Sequence, residues 1–317
     1  MKLSVVATLY RSAPYIEDFY RRIRAASAAI TDDVEIILVN DGSPDDSLER
    51  ALALRAEDPQ VTVLDLARNF GHHKAMVTGL AHADGDLVFL IDSDLEEPPE
   101  LLAQFHGELS SGGWDIVYGV QASRKGGWFE RLSGAAFFKL VELLSDTPLP
   151  RNLITARLMT QDFVRALVAH QDRQAQLSYL TALTGFRQHA VQVEKLANSP
   201  TTYSFARKLD MALKQITTTS TRLLYLVLYL GGAISLLAVC VILYYLLRYL
   251  THGVGVSGYT SLIMSIWFLG GVTLLALGVI GLYISSILVE VQRRPYTHLR
   301  AIYRTPRAAV AASEIAP

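Results

Sequence analysis

The chain has 317 residues, enough for one or two domains with a sizeable core. Its formal net charge of −1 gives no sign of general nucleic-acid binding, so no nucleic-acid partner is expected. Apolar residues make up 51% of the chain but concentrate in two long runs near the C-terminus, and the single cysteine, Cys240, excludes a disulfide framework and a thiolate metal site. The N-terminus lacks the apolar stretch and cleavage site of a signal peptide, which predicts a cytosolic first domain.

The first part of the chain alternates predicted strands and helices. The strands are predicted over Leu3–Thr8, Val34–Val39, Val61–Leu66, Leu87–Ile91 and Asp115–Tyr118. The helices between them are predicted over Pro14–Ile30, Pro44–Ala56, His72–Ala83 and Pro98–Ser110. This alternation predicts an α/β fold with a doubly wound, mostly parallel sheet. Ser12 and Ser43 are expected to cap the first two helices.

Residues 120–222 are less regular and contain two amphipathic stretches. Trp128–Leu144 is rich in Trp and Phe, and Ala206–Arg222 leads into the apolar part of the chain. The first stretch fits either a core-facing helix or a helix on the membrane surface, with Arg131 and Lys139 toward the headgroups.

Two runs, Leu223–Leu247 and Tyr259–Val289, are apolar and nearly free of charge. Each exceeds the roughly 20 residues that cross a bilayer as a helix. Basic residues flank the pair on both outer sides: Arg207, Lys208, Lys214, Arg222, Arg293, Arg294, Arg300 and Arg304. The positive-inside bias therefore predicts a hairpin with both outer ends in the cytosol, whereas the alternative is a pair of buried core helices. The glycine pattern of residues 253–258 falls between the spans and is assigned to turns, and Ala308–Pro317 is expected to be disordered.

Two acids one residue apart, Asp92 and Asp94, follow the predicted buried strand Leu87–Ile91. The carboxyl ends of parallel strands form the ligand crevice of open α/β folds. Carboxylates grouped there are ligands suited to Mg²⁺ or Mn²⁺ on substrate phosphates, although a loop with two solvated acids is the alternative.

Polar groups also follow the first three predicted strands, namely Thr8-Leu9-Tyr10, Asn40-Asp41-Gly42-Ser43 and Arg68-Asn69-Phe70-Gly71-His72. Asn-Asp-Gly-Ser alone is good turn composition. Turns alone explain less well why so many polar groups converge at one edge of the sheet.

These blocks resemble family-2 glycosyltransferases with the GT-A fold. The chain is most similar to the membrane-anchored polyprenyl-phosphate glycosyltransferases, relatives of dolichol-phosphate mannose synthase and the bactoprenol glucosyl transferases. The resemblance covers about residues 1–300. Its matching blocks are Val39–Ser43, Arg68–His72, Asp92–Glu100, Gly185–Arg187 and Glu290–Pro295. The block around Asp92, together with the paired spans, is the specific part.

The resemblance implies a role for each matching residue. The nucleotide would be held by a set at the strand ends: Thr8, Leu9, Tyr10, Asp41, Asn69, Asp92 and Ser93. A divalent metal, Mg²⁺ or Mn²⁺, would be held by Asp92, Asp94 and Glu96. Asp94 would be catalytic, and Arg124, Arg131 and Arg157 would contact phosphate on the acceptor side, where a guanidinium offers a fixed fork of donors.

The chain departs from the family pattern on the acceptor side. Relatives often carry an acid two residues before the Arg of an Arg-Leu-Met segment, but here Thr155 precedes Arg157. A polyprenyl phosphate has a second pKa of roughly 6, taking phosphoserine as the model, and is largely a dianion at neutral pH. A general base is therefore needed less for this acceptor than for a hydroxyl.

The sequence thus predicts a GT-A transferase domain followed by two transmembrane helices. Its segments are 1–119 for nucleotide-sugar binding, 120–222 for the acceptor side, 223–289 for the hairpin and 290–317 for a cytosolic tail. The predicted enzyme inverts configuration as it moves a sugar from a nucleotide sugar to a polyprenyl (undecaprenyl-type) phosphate. It would be a multi-pass protein of the inner (plasma) membrane, serving cell-envelope glycans such as lipopolysaccharide.

Several alternatives stay open. The protein could bind nucleotide sugars without catalysis, or use a hydroxyl acceptor. A processive polysaccharide synthase would need a Gln-x-x-Arg-Trp signature, which the chain lacks. Assembly into a homo-oligomer is also left open.

Overall fold

A computed structural model describes residues 1–121, 153–170, 177–193, 220–252 and 258–305. The strands in these ranges are β1 Leu3–Leu9, β2 Val34–Asn40, β3 Val61–Leu66, β4 Leu87–Asp92, β5 Ile116–Gln121, β6 Leu153–Thr160, β7 Gln188–Val193 and β8 Leu299–Tyr303. The helices are α1 Ile16–Ala28, α2 Ser47–Glu57, α3 His72–Leu80, α4 Leu101–Gly112, α5 Gln161–Ala169, α6 Leu177–Leu183, α7 Arg222–His252 and α8 Tyr259–Val291.

The strands form one sheet in the order β7-β5-β6-β4-β1-β2-β3-β8. The central strands β4, β1, β2 and β3 run parallel. Helices cover both faces of these strands, so the strands are apolar throughout, and every residue of β1 is buried. The predicted α/β sheet is therefore confirmed, with strand and helix ends shifted by a few residues.

The predicted caps of the first two helices are wrong. The helices begin at Ile16 and Ser47, and no side-chain cap bond is present at either start. The Ser12 hydroxyl instead accepts the Tyr10 N–H at 3.1 Å, because the chain turns sharply after β1. The carboxylate of Asp45, which was not a predicted cap, instead connects the chain segments that precede the two helices.

Asp45 accepts hydrogen bonds from the backbone N–H of Ala13 and from Ser43 and Ser47. Burial on its own raises the pKa of Asp45, but these hydrogen bonds outweigh burial and lower the pKa to about 2. The ionised form of Asp45 therefore stabilises the folded loops that follow β1 and β2.

Three of the described strands, β6, β7 and β8, were not predicted. β6 lies antiparallel between β4 and β5, with Leu90 opposite Arg157. β8 follows the second apolar helix and pairs antiparallel with β3 at the sheet edge. The sheet therefore takes strands from three of the four predicted segments, whose exact boundaries stay predictions.

The two apolar helices, α7 and α8, contain candidate membrane spans over Arg222–Val241 and Ser265–Val291. Only 0% of the most apolar stretch of the first span and 6% of that of the second are buried, whereas the core helices of a water-soluble protein are mostly buried. The Tyr283 hydroxyl in α8 donates to the Ser220 carbonyl just before α7, at 2.7 Å. The helices therefore run antiparallel as a hairpin, and burial contradicts the alternative of two core helices.

Several predicted features lie outside the described residues. These are the amphipathic stretch Trp128–Leu144, nearly all of Ala206–Arg222, the glycine-containing loop at 253–257 and the tail Ala308–Pro317. Arg124 and Arg131 lie outside the described residues as well.

Candidate active site

A cleft of about 270 Å³ opens at the carboxyl edge of the sheet. It forms there because β1, β2 and β4 are parallel, so their polar ends meet at one edge. The residues around it come from the ends of β1 and β4 and from the segments that follow β1, β2, β3 and β4. The lining residues are Thr8, Tyr10, Ser12, Asp41, Asn69, Gly71, His72, Asp92, Ser93 and Asp94.

The loops after β2 and β3 are fastened together by Asp41. Its two carboxylate oxygens accept the backbone N–H groups of Phe70 and Gly71 at 2.7 and 3.1 Å. Burial raises the pKa of Asp41, and these two hydrogen bonds oppose the shift. The same loops approach so closely at Gly42 that a Cβ there would lie 2.5 Å from the Asn69 nitrogen. Both sides of the cleft near Asp41 and Asn69 are therefore held in fixed positions.

The floor of the cleft is a buried hydroxyl network. Ser93 is 2% exposed, and its Oγ lies 2.8 Å from the Thr8 carbonyl oxygen and 2.9 Å from Ser12 Oγ. Tyr10, at the rim, is 48% exposed and is available to a ligand. Ser93 therefore joins β4 to the loop after β1 beneath the cleft.

Asp92 ends β4 and presents its two oxygens differently. Oδ2 accepts a hydrogen bond from Thr155 Oγ1 at 2.7 Å. Oδ1 is buried and accepts none, although His72 Nε2 lies 3.4 Å away. A buried carboxylate oxygen without a donor is costly unless a ligand or cation meets it. This oxygen therefore fits a divalent cation in the cleft.

The loop after Asp92 carries the other predicted acids. The Glu96 N–H donates to Asp94 Oδ1 at 2.9 Å, and Leu95 between them has φ of 59°, in the left-handed region. Such backbone strain in a non-glycine residue often marks a functional loop. Glu96 is not among the residues that line the cleft.

Within the described ranges, no three His, Cys, Asp or Glu side chains gather into a complete metal site. Protein sites for Mg²⁺ often use one or two carboxylates and take their other ligands from water and substrate phosphates. The cleft fits that kind of site rather than a cage built by the protein alone.

Glu97 and Arg157 lie beneath the acidic loop. Glu97 is 1% exposed and accepts the backbone N–H groups of Thr155 and Ala156. Arg157 is 5% exposed and donates to the Thr155 and Ile154 carbonyl oxygens. Burial lowers the pKa of Arg157, while the charges of Glu97 and Asp92 oppose this shift. The guanidinium thus adds positive charge beneath the carboxylates.

A family model described as glycosyl transferase family 2 matches residues 4–167. The chain belongs to glycosyl transferase family 2. A protein of Mycobacterium tuberculosis described as a glycosyltransferase is 48% identical over 303 residues, which cover 96% of this chain and 89% of that protein. The bactoprenol glucosyl transferase of Shigella phage SfII is 31% identical over 308 residues, which cover 96% of this chain and 99% of that protein.

Among solved structures, a mannosyltransferase from Pyrobaculum calidifontis, determined with GDP-Man and Mn²⁺, aligns with a TM-score of 0.49 at 16% identity. The alignment covers 93% of this chain and 88% of that chain. Family membership, together with the mixed α/β sheet and the two apolar helices that follow it, confirms the predicted fold class and the resemblance to family 2.

In this family-2 glycosyltransferase, most of the predicted nucleotide residues do line one cleft. Leu9 is the exception: its side chain is fully buried in the apolar core and does not line the cleft. Only the Leu9 backbone reaches this region, where its carbonyl accepts the Asp41 N–H at 3.1 Å. The nucleotide-binding role of all these residues, Leu9 included, stays a prediction.

Arg157, predicted to contact the acceptor, lies farther from its expected place than the nucleotide residues do. Arg157 does not line the cleft beside Asp92; it lines a separate cavity of about 190 Å³ with Tyr118 and Thr181. Its guanidinium is occupied largely by backbone carbonyls, so its first role in this structure is to hold β6 in place. The predicted phosphate contact of Arg157 stays a prediction.

Sequence reasoning assigned no site role to four residues of the site. Ser12, Gly71 and His72 line the cleft, and Thr155 reaches Asp92 from the unpredicted β6. Gly71 and His72 belong to the polar block 68–72 that was recognised at the end of a strand, which was a usable signal. No local signal connects Thr155 with Asp92, because they lie 63 residues apart.

Proposed function

We propose that the protein transfers a sugar from a nucleotide sugar to a polyprenyl phosphate at the cytosolic face of the membrane. Family membership gives the reaction class, glycosyl transfer. The donor, the acceptor and the metal are proposed from the cleft, from the hairpin and from the names of relatives.

The observation that carries the proposal is the cleft, with an unbonded buried oxygen of Asp92 beside Asp94 at the carboxyl edge of the sheet. This arrangement supports binding of the nucleoside diphosphate part of a nucleotide sugar. Tyr10, Asp41 and Asn69 would hold the nucleoside, with the tyrosine ring exposed at the rim.

Asp92 and Asp94 would hold a divalent cation, Mg²⁺ or Mn²⁺, on the diphosphate. When bound, such a cation supplies positive charge that stabilises the departing nucleoside diphosphate. The chain's own part is to fix these carboxylates: β4 places Asp92, and the Glu96 N–H orients Asp94. Whether Glu96 itself contributes an oxygen stays a prediction.

The acceptor is proposed to be a lipid phosphate. The strand β8 directly follows the second apolar helix and belongs to the same sheet as the cleft, which supports a catalytic domain held against a membrane. The name of the phage relative, bactoprenol glucosyl transferase, supports a polyprenyl acceptor. An oxygen of the lipid phosphate would attack the anomeric carbon of the sugar. The bond between that carbon and the diphosphate oxygen would break at the same time, with inversion of configuration at the carbon.

The acceptor phosphate would not need a general base. A phosphate monoester has a second pKa of roughly 6, so at neutral pH its attacking oxygen carries no proton to remove. Thr155 lacks a basic group, which is compatible with this acceptor and less so with a sugar hydroxyl.

A transfer assay tests the proposal. Purified full-length protein is incubated with Mn²⁺, a panel of nucleotide sugars, and either polyprenyl phosphate or the matching polyprenol. We expect metal-dependent glycolipid with the phosphate and none with the alcohol. No glycolipid with any donor, or equal transfer to the alcohol, would refute the proposed acceptor.

Asp94→Asn keeps the size of the side chain but removes its charge. We expect this variant to lose at least about 100-fold in transfer, while its unfolding temperature stays near that of the parent. Full activity of the variant would overturn the metal-binding role of Asp94. Arg165→Gln, on the exposed surface of α5, is the matched control for a charge removed elsewhere.

A further inference from the structure

Thr155 is fixed by all three of its polar groups. Its N–H donates to Glu97 Oε1 at 2.9 Å, and its carbonyl oxygen accepts from Arg157 Nε at 2.9 Å. Its hydroxyl donates to Asp92 Oδ2 at 2.7 Å. Glu97 belongs to the loop that follows Asp92 and Asp94, so this loop and β6 hold each other.

The strand register explains why Thr155 reaches Asp92. β4 and β6 are antiparallel, with Phe89 opposite Leu158 and Leu90 opposite Arg157. Continuing this register by two residues sets Thr155 opposite Asp92, the last residue of β4. Side chains directly opposite each other on neighbouring strands lie close enough to interact. The hydrogen bond is therefore built into the sheet and does not depend on a mobile loop.

We propose that Thr155 positions Asp92 for divalent-cation binding. The threonine hydroxyl occupies one carboxylate oxygen, and this fixes the carboxylate so that the other, buried oxygen is left for the cation. Partners that orient a metal-binding carboxylate contribute to metal affinity, typically by 10–100-fold. This inference rests on the proposed function, because the cation it concerns is the one that accompanies the diphosphate.

In this chain, position 155 supplies a hydrogen-bond donor to Asp92. An ionised carboxylate is acceptor-only, whereas a threonine hydroxyl can donate. An acid in place of Thr155 would bring a second negative charge against Asp92 Oδ2 and would leave that oxygen without its donor. Thr155 is therefore a positioning residue, and it does not serve as a general base.

The test compares Thr155→Val, which keeps the shape and removes the hydroxyl, with Thr155→Ser, which keeps the hydroxyl. Thr62→Val on β3, outside the cleft, is the matched control for the same substitution. Mn²⁺ is titrated into each full-length protein alone and with UDP or GDP, and binding is measured by calorimetry and by the electron paramagnetic resonance of free Mn²⁺. Transfer is then measured as a function of Mn²⁺ concentration.

We expect Thr155→Val to weaken Mn²⁺ binding by about tenfold or more. The half-saturating Mn²⁺ concentration for transfer should rise by the same factor as binding weakens. The kcat at saturating Mn²⁺ should stay within about threefold of that of the parent. Thr155→Ser and Thr62→Val should remain within about threefold of the parent in every measurement. A merely structural role would lower kcat without moving the Mn²⁺ dependence, and that result would overturn the inference.

The remaining outcomes are also decisive. Parent-like Mn²⁺ binding in Thr155→Val, or faster transfer by Thr155→Asp, would overturn the inference while leaving the proposed function intact. No Mn²⁺ binding and no transfer by the parent would instead refute the proposed function. If the valine variant does not fold, Thr155→Ala replaces it and is judged against Thr155→Ser by the same titration.

Discussion

The close approach of two loops at Gly42 yields a sharp prediction for Gly42→Ala. Gly42 has φ of +60°, and an added Cβ would lie 2.5 Å from the Asn69 nitrogen and 2.6 Å from the Arg68 carbonyl carbon. Both neighbours are backbone atoms, which cannot move away as a flexible side chain could. The alanine variant must therefore push the loop after β3 away from the loop after β2.

The expected cost has two parts. A non-glycine residue in the left-handed region costs about 1–2 kcal/mol. Moving the loops apart stretches the bonds from Phe70 and Gly71 to Asp41, and losing one hydrogen bond to a charged group costs about 1.5–3 kcal/mol. The sum is about 2.5–5 kcal/mol, and since each 1.4 kcal/mol is a factor of ten, nucleotide affinity is expected to fall at least tenfold.

Alanine variants of two other glycines distinguish the effect of backbone strain from that of a steric clash. Gly71 also has a positive φ, of 98°, but a Cβ there meets nothing within 4 Å, so Gly71→Ala should show backbone strain alone. Gly107 lies in α4 with open space around it, so Gly107→Ala should be neutral or slightly stabilising. Calorimetry with UDP and GDP gives the affinity, and thermal unfolding in detergent gives the stability. If Gly42→Ala matched Gly107→Ala in both, the fixed contact between the loops would be refuted.

Two further predictions concern the supports of the cleft. The pKa of Asp45 is lowered from 3.8 to about 2, so its stabilisation is present above pH 3.8 and is lost as pH falls toward 2. The difference in unfolding temperature between the parent and Asp45→Asn should therefore shrink in this window, and a difference equal at every pH would contradict this. A chain that ends at Thr305 keeps β8 and should bind nucleotide normally, whereas one that ends at Pro295 loses β8 and should bind weakly. The reason is that Arg300, 3.6 Å from the buried Asp65 carboxylate, is lost with the strand, and equal binding by both chains would sink this reasoning.

The central strands could be predicted because burial on both faces leaves a plain signal. Leu87–Asp92 is apolar until its last residue, so its polar end was expected at the sheet edge. Asp92 and Asp94 were found for the same reason. The pattern locates such residues along the chain, and the parallel sheet then brings them together.

The strands β6 and β8 could not be recognised in the same way. Leu153–Thr160 carries Thr155 and Arg157, and these polar residues interrupt its apolar pattern. β8 is only Leu299–Tyr303, at the edge of the sheet, and its Arg300 fits the basic flank of a membrane span equally well. Both strands depend on partners distant in the chain, which local patterns do not reveal.

The segment between the second apolar helix and β8 limits how far the cleft can lie from the membrane. The helix ends at Val291, and residues 292–298 span at most roughly 25 Å when fully extended. The ring of His298 lies against that of Phe70, with centroids 6.0 Å apart. The backbone N–H of Phe70 donates a hydrogen bond to Asp41 at the cleft. A water-soluble acceptor would gain nothing from so short a connection, whereas the proposed lipid phosphate, held at headgroup depth, would have to meet the cleft there. The connection that completes the sheet therefore supports the proposed lipid acceptor.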